Sequence, residues 1–357
     1  MKVLHIIFGV SRAAGGPSRS SQGLVAAECS AGIDAWIYPI DGTEPWIDGV
    51  RRYVPECATA KLATVDLSKF DLVHIHGLWN LRLHRVVVLC RMLKIPYVIA
   101  PRGMLDPWAL SVKPFRKRIA RILYQNRDLR GAAAIHATAE AEAEHIREAG
   151  FRNNIIISPN GVDVPRCLEW KGENAVGKKT ALFLSRLHPG KGLLALAEAW
   201  AKVRPQGWVM RVVGPDSYGH KAEVVSKLRL LGIEGEWQFR DMVDDVEKWK
   251  EYAAADLLVH PSVSENFGIT IAEGLASGLP VICTKGAPWS DIVDRKCGWW
   301  IDIGKEPLTA ALGEALSYDT EKLQDMGRRG RKLVDEKYTW DAVCNAMMDG
   351  YREILNV

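Results

Sequence analysis

Much of what would place this chain in a specialised class is missing from it. Its 47 basic and 43 acidic residues leave a formal charge of only +4, too little to signal wholesale binding to nucleic acid. The seven cysteines, at 29, 57, 90, 167, 283, 297 and 344, are scattered. There is no Cys-x-x-Cys and no histidine at metal-ligand spacing beside any of them, which argues against a zinc module or a disulfide framework. An odd number without a secretion signal fits a reducing cytosol, with the cysteines acting as small buried hydrophobes. The opening MKVLHIIFGV holds one apolar run of strand length, too short for a signal-peptide core or a membrane span. The expectation is therefore a cytoplasmic protein. No Asp-x-Asp, low-complexity tract or short repeat occurs. What is present is 48% hydrophobic and 25% charged over 357 residues, the balance of a globular protein with length for two domains.

The chain alternates β-branched runs with amphipathic segments. Residues 3–8, 35–40, 72–76, 97–100, 133–136 and 155–158 read as strands, separated by helical stretches at 19–31, 83–93, 115–129 and 140–149. Strict alternation implies right-handed βαβ units and a parallel sheet. Pro159-Asn160-Gly161-Val162-Asp163-Val164-Pro165 and the polar stretch 171–179 interrupt the rhythm with turn chemistry and a linker. It then restarts, with strands at 181–185, 209–213, 237–240, 257–260 and 281–284. The fold class is α/β, in two doubly wound domains, 1–165 and 166–339. A final helical stretch from Trp340 is placed to cross back onto the first. Ligands on such sheets bind at the carboxyl ends of the strands.

The most informative segment follows the strand at 257–260: Ser264-Glu265-Asn266-Phe267-Gly268-Ile269-Thr270-Ile271-Ala272-Glu273. Glu265 falls on a loop at a strand's carboxyl end, and Gly268 lets the backbone approach a ligand closely. Amides from Phe267 to Thr270 open a helix, a ready site for phosphate. Glu273 lies about one turn further in, where a carboxylate can accept both hydroxyls of a ribose. The bland alternative is a solvated Glu265 and an acid balancing the helix dipole. In Ser185-Arg186-Leu187-His188-Pro189-Gly190-Lys191-Gly192, a strand ends in a turn that opens a helix. Arg186 and Lys191 are spaced to reach one diphosphate, or are ordinary surface cations. Gly15-Gly16-Pro17 follows the first strand and either admits a phosphate to backbone amides or is a plain loop.

Together these three turns make the chain resemble the retaining glycosyltransferases of family four, with the GT-B fold of two Rossmann-like domains facing a cleft. The resemblance rests on Glu265, Glu273 and Phe267-Gly268, on Arg186 with Lys191-Gly192, on Gly15-Gly16 and on 160–163. It implies that Arg186 and Lys191 neutralise the departing diphosphate, that Glu265 contacts sugar hydroxyls, and that Glu273 holds the ribose. Asn266, Phe267, Gly268 and Ile269 then offer backbone to sugar and phosphate, and the base lies near Arg240 to Val243, beside Met242. It further implies transfer with retention from a nucleotide-diphosphate sugar to a glycan or polyprenyl-linked acceptor, in polysaccharide or lipopolysaccharide assembly. No cofactor and no metal are expected, the cations and helix terminus replacing a divalent ion. A nucleotide-sugar epimerase and a non-catalytic two-domain binding protein are the alternatives.

Candidate acceptor residues are Trp79, Arg102, Asp106 and His136, with His76 in a catalytic role. His74 and His76 alternate along one strand and are expected on opposite faces, with His76 towards the site; a core histidine is the alternative. Arg102 stands where many relatives carry histidine, and is read as a clamp for a phosphate or acidic sugar. Asp106 either orients an acceptor hydroxyl or caps a helix. Trp289, Trp299 and Trp300 either stack on sugars or pack in the core. Lys113, Arg116, Lys117, Arg118 and Arg121 share a helix with Phe115, Ile119, Ile122 and Leu123. The apolar face is expected to pack on the core, the alternative being a basic amphipathic helix attracted to an anionic membrane.

Overall fold

The computed structural model describes residues 1–11, 15–54, 65–163, 177–216 and 219–356. The expected break at 165/166 and most of the 171–179 linker lie outside the described residues. The chain divides into two compact units, Met1–Gly161 with Trp340–Val357, and Val162–Thr339.

The first unit is built on β1 (Lys2–Ile7), β2 (Asp34–Pro39), β3 (Leu72–His76), β4 (Tyr97–Ala100), β5 (Ala134–Ala137) and β6 (Asn154–Ile157). All pair in parallel, in the order β2-β1-β3-β4-β5-β6. Every residue of β3, β4 and β5 is buried, as a parallel sheet covered on both faces requires. The first helices are α1 (Gly16–Ser30), α2 (Leu81–Leu93), α3 (Pro107–Ser111), α4 (Pro114–Ala120), α5 (Asn126–Arg130) and α6 (Glu140–Glu148). The strand order reverses between β1 and β3, which makes that the switch point where ligands of such sheets bind.

The second unit repeats the plan with β7 (Lys179–Leu184), β8 (Trp208–Val213), β9 (Trp237–Arg240), β10 (Leu257–His260), β11 (Val281–Thr284) and β12 (Gly298–Ile301). The sheet is again parallel, in the order β12-β11-β10-β7-β8-β9, and its switch point lies between β7 and β10. Its helices are α7 (Leu193–Val203), α8 (His220–Leu231), α9 (Asp245–Ala253), α10 (Ile269–Ala276), α11 (Asp291–Asp294), α12 (Lys305–Ser317) and α13 (Thr320–Lys337). Strand β12 and helices α11, α12 and α13 are additional to the elements read from the sequence.

The last helix, α14 (Trp340–Leu355), belongs to the first unit. Val343, Met347 and Tyr351 project at helical spacing into the core formed with Val3, Leu24 and Ile37. The Trp340 indole sits so close to Gly23 that a Cβ there would meet it at 2.1 Å. A side chain at position 23 would therefore lift α14 off α1.

Candidate active site

In the second unit, the loops after β7 and β10 are stitched together on either side of the switch point. Val263 N donates to Gly190 O at 3.0 Å and Ser262 Oγ to the same oxygen at 3.2 Å. Gly192, at φ 79°, lies against Pro261, where a Cβ would stand 2.1 Å from the carbonyl oxygen. Only glycine permits both that backbone conformation and that approach. The stitching delivers Lys191 to Glu265, whose Oε1 takes hydrogen bonds from Lys191 Nζ and from His260 Nε2, the latter at 2.7 Å. The Glu265 backbone is fixed as well, its N–H donating to Gly286 O at 2.7 Å.

Burial by itself raises the Glu265 carboxyl, but the His260 hydrogen bond and the charges of His260 and Lys191 outweigh it and hold the group well below the usual carboxylate range. Glu265 is thus a permanent anion with a lysine ammonium on it, and not a proton carrier near neutral pH. His260, the last residue of β10, was not singled out from the sequence. Its place five residues before Glu265, on a strand end, was the available signal.

Beyond Glu265 the chain turns at Gly268, φ 80°, into α10, which has no side-chain cap. The orphan amides of the first turn are the groups an anion satisfies. Ile269 is the first residue of α10. Phe267 is buried, its ring 5.2 Å from that of Trp289 and 5.8 Å from that of Tyr338, so it contributes backbone and core packing and no side-chain face. Glu273 is also buried, Oε1 accepting from Lys248 Nζ at 2.6 Å and Oε2 from Tyr252 OH at 2.9 Å. Each oxygen keeps acceptor capacity beyond its one protein partner. Lys248 and Tyr252 share one face of α9, an i, i+4 pair that the sequence pattern contained unread.

Arg186 is exposed at the end of β7. Arg240, at the end of β9, is held by Glu251 Oε1 and by Glu247 Oε1, the latter at 2.8 Å. Its charge is thereby matched within its own unit. Met242 is exposed. The tryptophans weighed as sugar platforms serve the fold instead: Trp289 is buried and donates to Phe267 O at 2.5 Å, Trp300 donates to Ala287 O at 2.7 Å and Trp299 to Glu314 Oε2 at 3.0 Å.

In the first unit, Gly15 caps α1 at φ 78°, and among the described residues nothing lies within 4 Å of a Cβ placed there or at Gly16. Four buried histidines, His5 on β1, His74 and His76 on β3 and His136 on β5, form two hydrogen-bonded lines, the first of them at the switch point. The expectation for His74 and His76 is overturned: their rings stack at 4.3 Å, because side chains two apart on a strand share a face.

Arg102 has no acceptor, so its Nη2 must donate to His76 Nδ1, at 2.9 Å. His76 then carries its proton on Nε2 and donates to His5 Nδ1 at 3.0 Å, and His5 Nε2 donates to Glu28 Oε2 at 2.7 Å. All three bonds point from guanidinium to carboxylate: a buried ion pair relayed through two neutral imidazoles. The second line is fixed the same way from its far end. His136 Nε2 must donate to Ser158 O, at 2.8 Å. His74 Nε2 therefore donates to His136 Nδ1 at 3.3 Å, and Tyr351 OH on α14 donates to His74 Nδ1 at 2.6 Å. Burial above all, with neighbouring positive charge, pushes His74 and His76 well below the ordinary histidine range and His136 to about 3. Burial also pulls Arg102 down to about 10, which leaves it protonated.

His5, His74 and His76 each bring one ligand-type nitrogen within 4.8 Å of the others. A cation there would sit beside the Arg102 guanidinium and break both lines, so the donor set suits proton bonding better than metal binding.

The geometry gives each acceptor-side candidate its surroundings within the protein. His136 is a buried member of the second line and faces no open surface. Asp106 caps α3, Oδ1 accepting from Trp108 N at 2.8 Å and Ala109 N at 3.2 Å, with His145 3.6 Å from Oδ2. Trp79, half-buried at φ 63°, packs against the sheet's core. Arg102, 8% exposed, has both terminal nitrogens occupied, Nη1 by Asn160 Oδ1 at 2.9 Å. Only its Nε is buried without a partner, so it is a strut of the network more than an open clamp.

Two Rossmann-like units, each with charged loops or buried polar lines at its switch point, define a glycosyltransferase architecture of the GT-B kind. The family model for glycosyl transferases group 1 matches residues 168–333, and that for the glycosyl transferase 4-like domain matches 13–161. Between them they span most of the chain, which belongs to the group 1 glycosyltransferases. Among curated relatives, the D-inositol 3-phosphate glycosyltransferase of Segniliparus rotundus is 28% identical over 61% of this chain and 52% of its own length. The enzyme of the same name from Arthrobacter is 26% identical over 80% and 70%. The chain thus spans about half the length of the first of these and more of the second. Among solved structures, Anabaena HepE in complex with UDP superposes with a TM-score of 0.79 at 19% identity, covering 99% of this chain and 100% of that one.

Proposed function

We propose that the protein transfers a sugar, with retention of anomeric configuration, from a nucleotide-diphosphate donor to a glycan or lipid-linked acceptor in the cytoplasm. The observation that carries this reading is the Lys191–Glu265 pair beside the uncapped start of α10. Relatives support the choice of substrates: HepE was solved with UDP-glucose, and the alpha-monoglucosyldiacylglycerol synthase of Streptococcus pneumoniae is 30% identical over 39% of this chain.

On this reading the diphosphate lies against the first amides of α10, with Arg186 and Lys191 compensating its charge. Glu265 accepts from sugar hydroxyls while keeping Lys191 oriented, and Glu273 accepts from the ribose. The acceptor oxygen attacks the anomeric carbon from the face the diphosphate leaves. Its proton passes to the departing phosphate oxygen as the glycosidic bond forms and the carbon–oxygen bond to phosphate breaks. Because Glu265 stays ionised and paired, it serves as an electrostatic and positioning group, not as a nucleophile. The lysine, the arginine and the helix terminus do the work a divalent ion does elsewhere.

Incubation with UDP- and GDP-sugars, with and without a polyprenyl-linked acceptor, tests the reading. Acceptor-dependent release of nucleotide diphosphate, unaffected by a chelator, and an α-configured product from an α-donor are expected. Conversion of the donor without any acceptor would favour an epimerase. A Glu273→Ala variant with unchanged donor affinity would remove that residue from the ribose site.

A further inference from the structure

The basic segment of the first unit does not pack as its sequence suggests. From 114 to 130 the chain is continuously helical, through α4, a π-helical turn at Arg121–Gln125 and α5. The expected arrangement placed the apolar face on the core; the structure inverts it. The side towards the protein carries cations, with Lys117 Nζ donating to Ala109 O and Arg121 Nη2 to Ala149 O at 2.9 Å. After the π turn Tyr124, Gln125, Asp128 and Leu129 are buried. The side away from the protein carries Trp108, Val112, Phe115, Ile119, Ile122 and Leu123, all between 42% and 74% exposed. Phe115, Ile119, Ile122 and Leu123 recur three, four or one residue apart along α4 and the π turn and so form one stripe, with Trp108 and Val112 exposed just before it, on α3 and in the non-helical link that follows.

We propose that this stripe docks the first unit on an anionic lipid surface. Single exposed apolar residues need no explanation, but a contiguous apolar stripe on a protein surface does. The charge around it identifies the occupant. Residues 107–127 hold six Lys or Arg and no Asp or Glu, and Lys113, Arg116 and Arg118 are exposed beside the stripe. Aromatic and aliphatic side chains entering the headgroup boundary, with long cationic side chains reaching phosphates, are the pattern of an interfacial helix. A second copy is a poorer occupant, because a two-fold interface on this face would set cation against cation. The stripe belongs to the first unit and the proposed donor machinery to the second, so the two are tested with different residues.

The full chain is to be sedimented with vesicles of phosphatidylcholine alone and with added phosphatidylglycerol, at low and high salt. Binding to the anionic vesicles, falling with salt, is expected. Arg116→Gln with Arg118→Gln should weaken it about 30-fold, at roughly 1 kcal/mol per cation. Phe115→Ser with Leu123→Ser should weaken it at least about tenfold. All four positions are exposed, so both variants should keep the parental melting temperature. No binding to anionic vesicles, equal binding to both compositions, or binding untouched by both variants overturns the proposal. So does a parental dimer that the apolar variant dissociates, which would make the occupant a second copy.

Discussion

Arg102 and Glu28 share no hydrogen bond, yet the relay through His76 and His5 predicts that they are energetically coupled. Glu28→Gln keeps an oxygen for His5 but removes the charge towards which three hydrogen bonds point. Losing one charge-assisted bond costs about 1.5–3 kcal/mol; removing one partner of a directly paired buried ion costs about 3–5. A relayed pair falls between, so we expect roughly 3 kcal/mol from Glu28→Gln. Arg102→Met should cost a similar amount, since it strands the carboxylate. The double variant leaves no uncompensated charge and should cost less than the two singles together by about 1 kcal/mol or more. Native-state hydrogen exchange at β1 and β3 amides reads the first unit's stability separately from the second's. Groups without a shared partner normally add to within about 0.5 kcal/mol. Additivity of that quality would refute the relay, as would a Glu28→Gln variant as stable as the parent.

Two further predictions concern His136 and Gly192. His136 has a folded value of about 3 against an ordinary 6.5, so the unfolded chain binds the extra proton between those values. Its contribution is fully present above pH 6.5 and is lost as pH falls, by roughly 1.4 kcal/mol between pH 7.5 and 5.5. His74 and His76 act in the same direction. The first unit should therefore loosen below pH 6 in the exchange experiment, and stability constant to pH 5 would contradict the neutral assignment. Gly192→Ala places a Cβ 2.1 Å from Pro261 O at φ 79°. It should destabilise the second unit by roughly 3 kcal/mol and part Lys191 from Glu265; a variant with parental stability and donor affinity would show that the loop stitching is dispensable.

Much of this was legible in the sequence, for definite reasons. The parallel strands announced themselves through short β-branched runs, and the glutamate segment through glycine and acid at fixed offsets after a strand. Strand β12 was hidden because Gly298-Trp299-Trp300-Ile301 is a brief aromatic run, recognisable as a strand only from its pairing with β11. The relay was hidden because His5, Glu28, His76 and Arg102 are far apart in sequence and meet only where β1 and β3 are neighbours in the sheet. Asp106 and the tryptophans misled because cap, core and ligand uses of one residue type look alike until partners are known. The basic helix misled in the opposite direction. Its amphipathic pattern was plain, but periodicity says which residues share a face and not which face is turned inward.

The central claim is that Lys191, held by Glu265 beside the start of α10, binds the diphosphate of a nucleotide sugar. Calorimetric titration of UDP and GDP into the parental chain and into Lys191→Ala tests it most directly. One of the two should bind without added metal, and the variant should bind it about 10- to 150-fold more weakly, the worth of a hydrogen bond to a charged group. Absence of binding by either diphosphate, or equal affinity in the parent and the variant, would contradict the account.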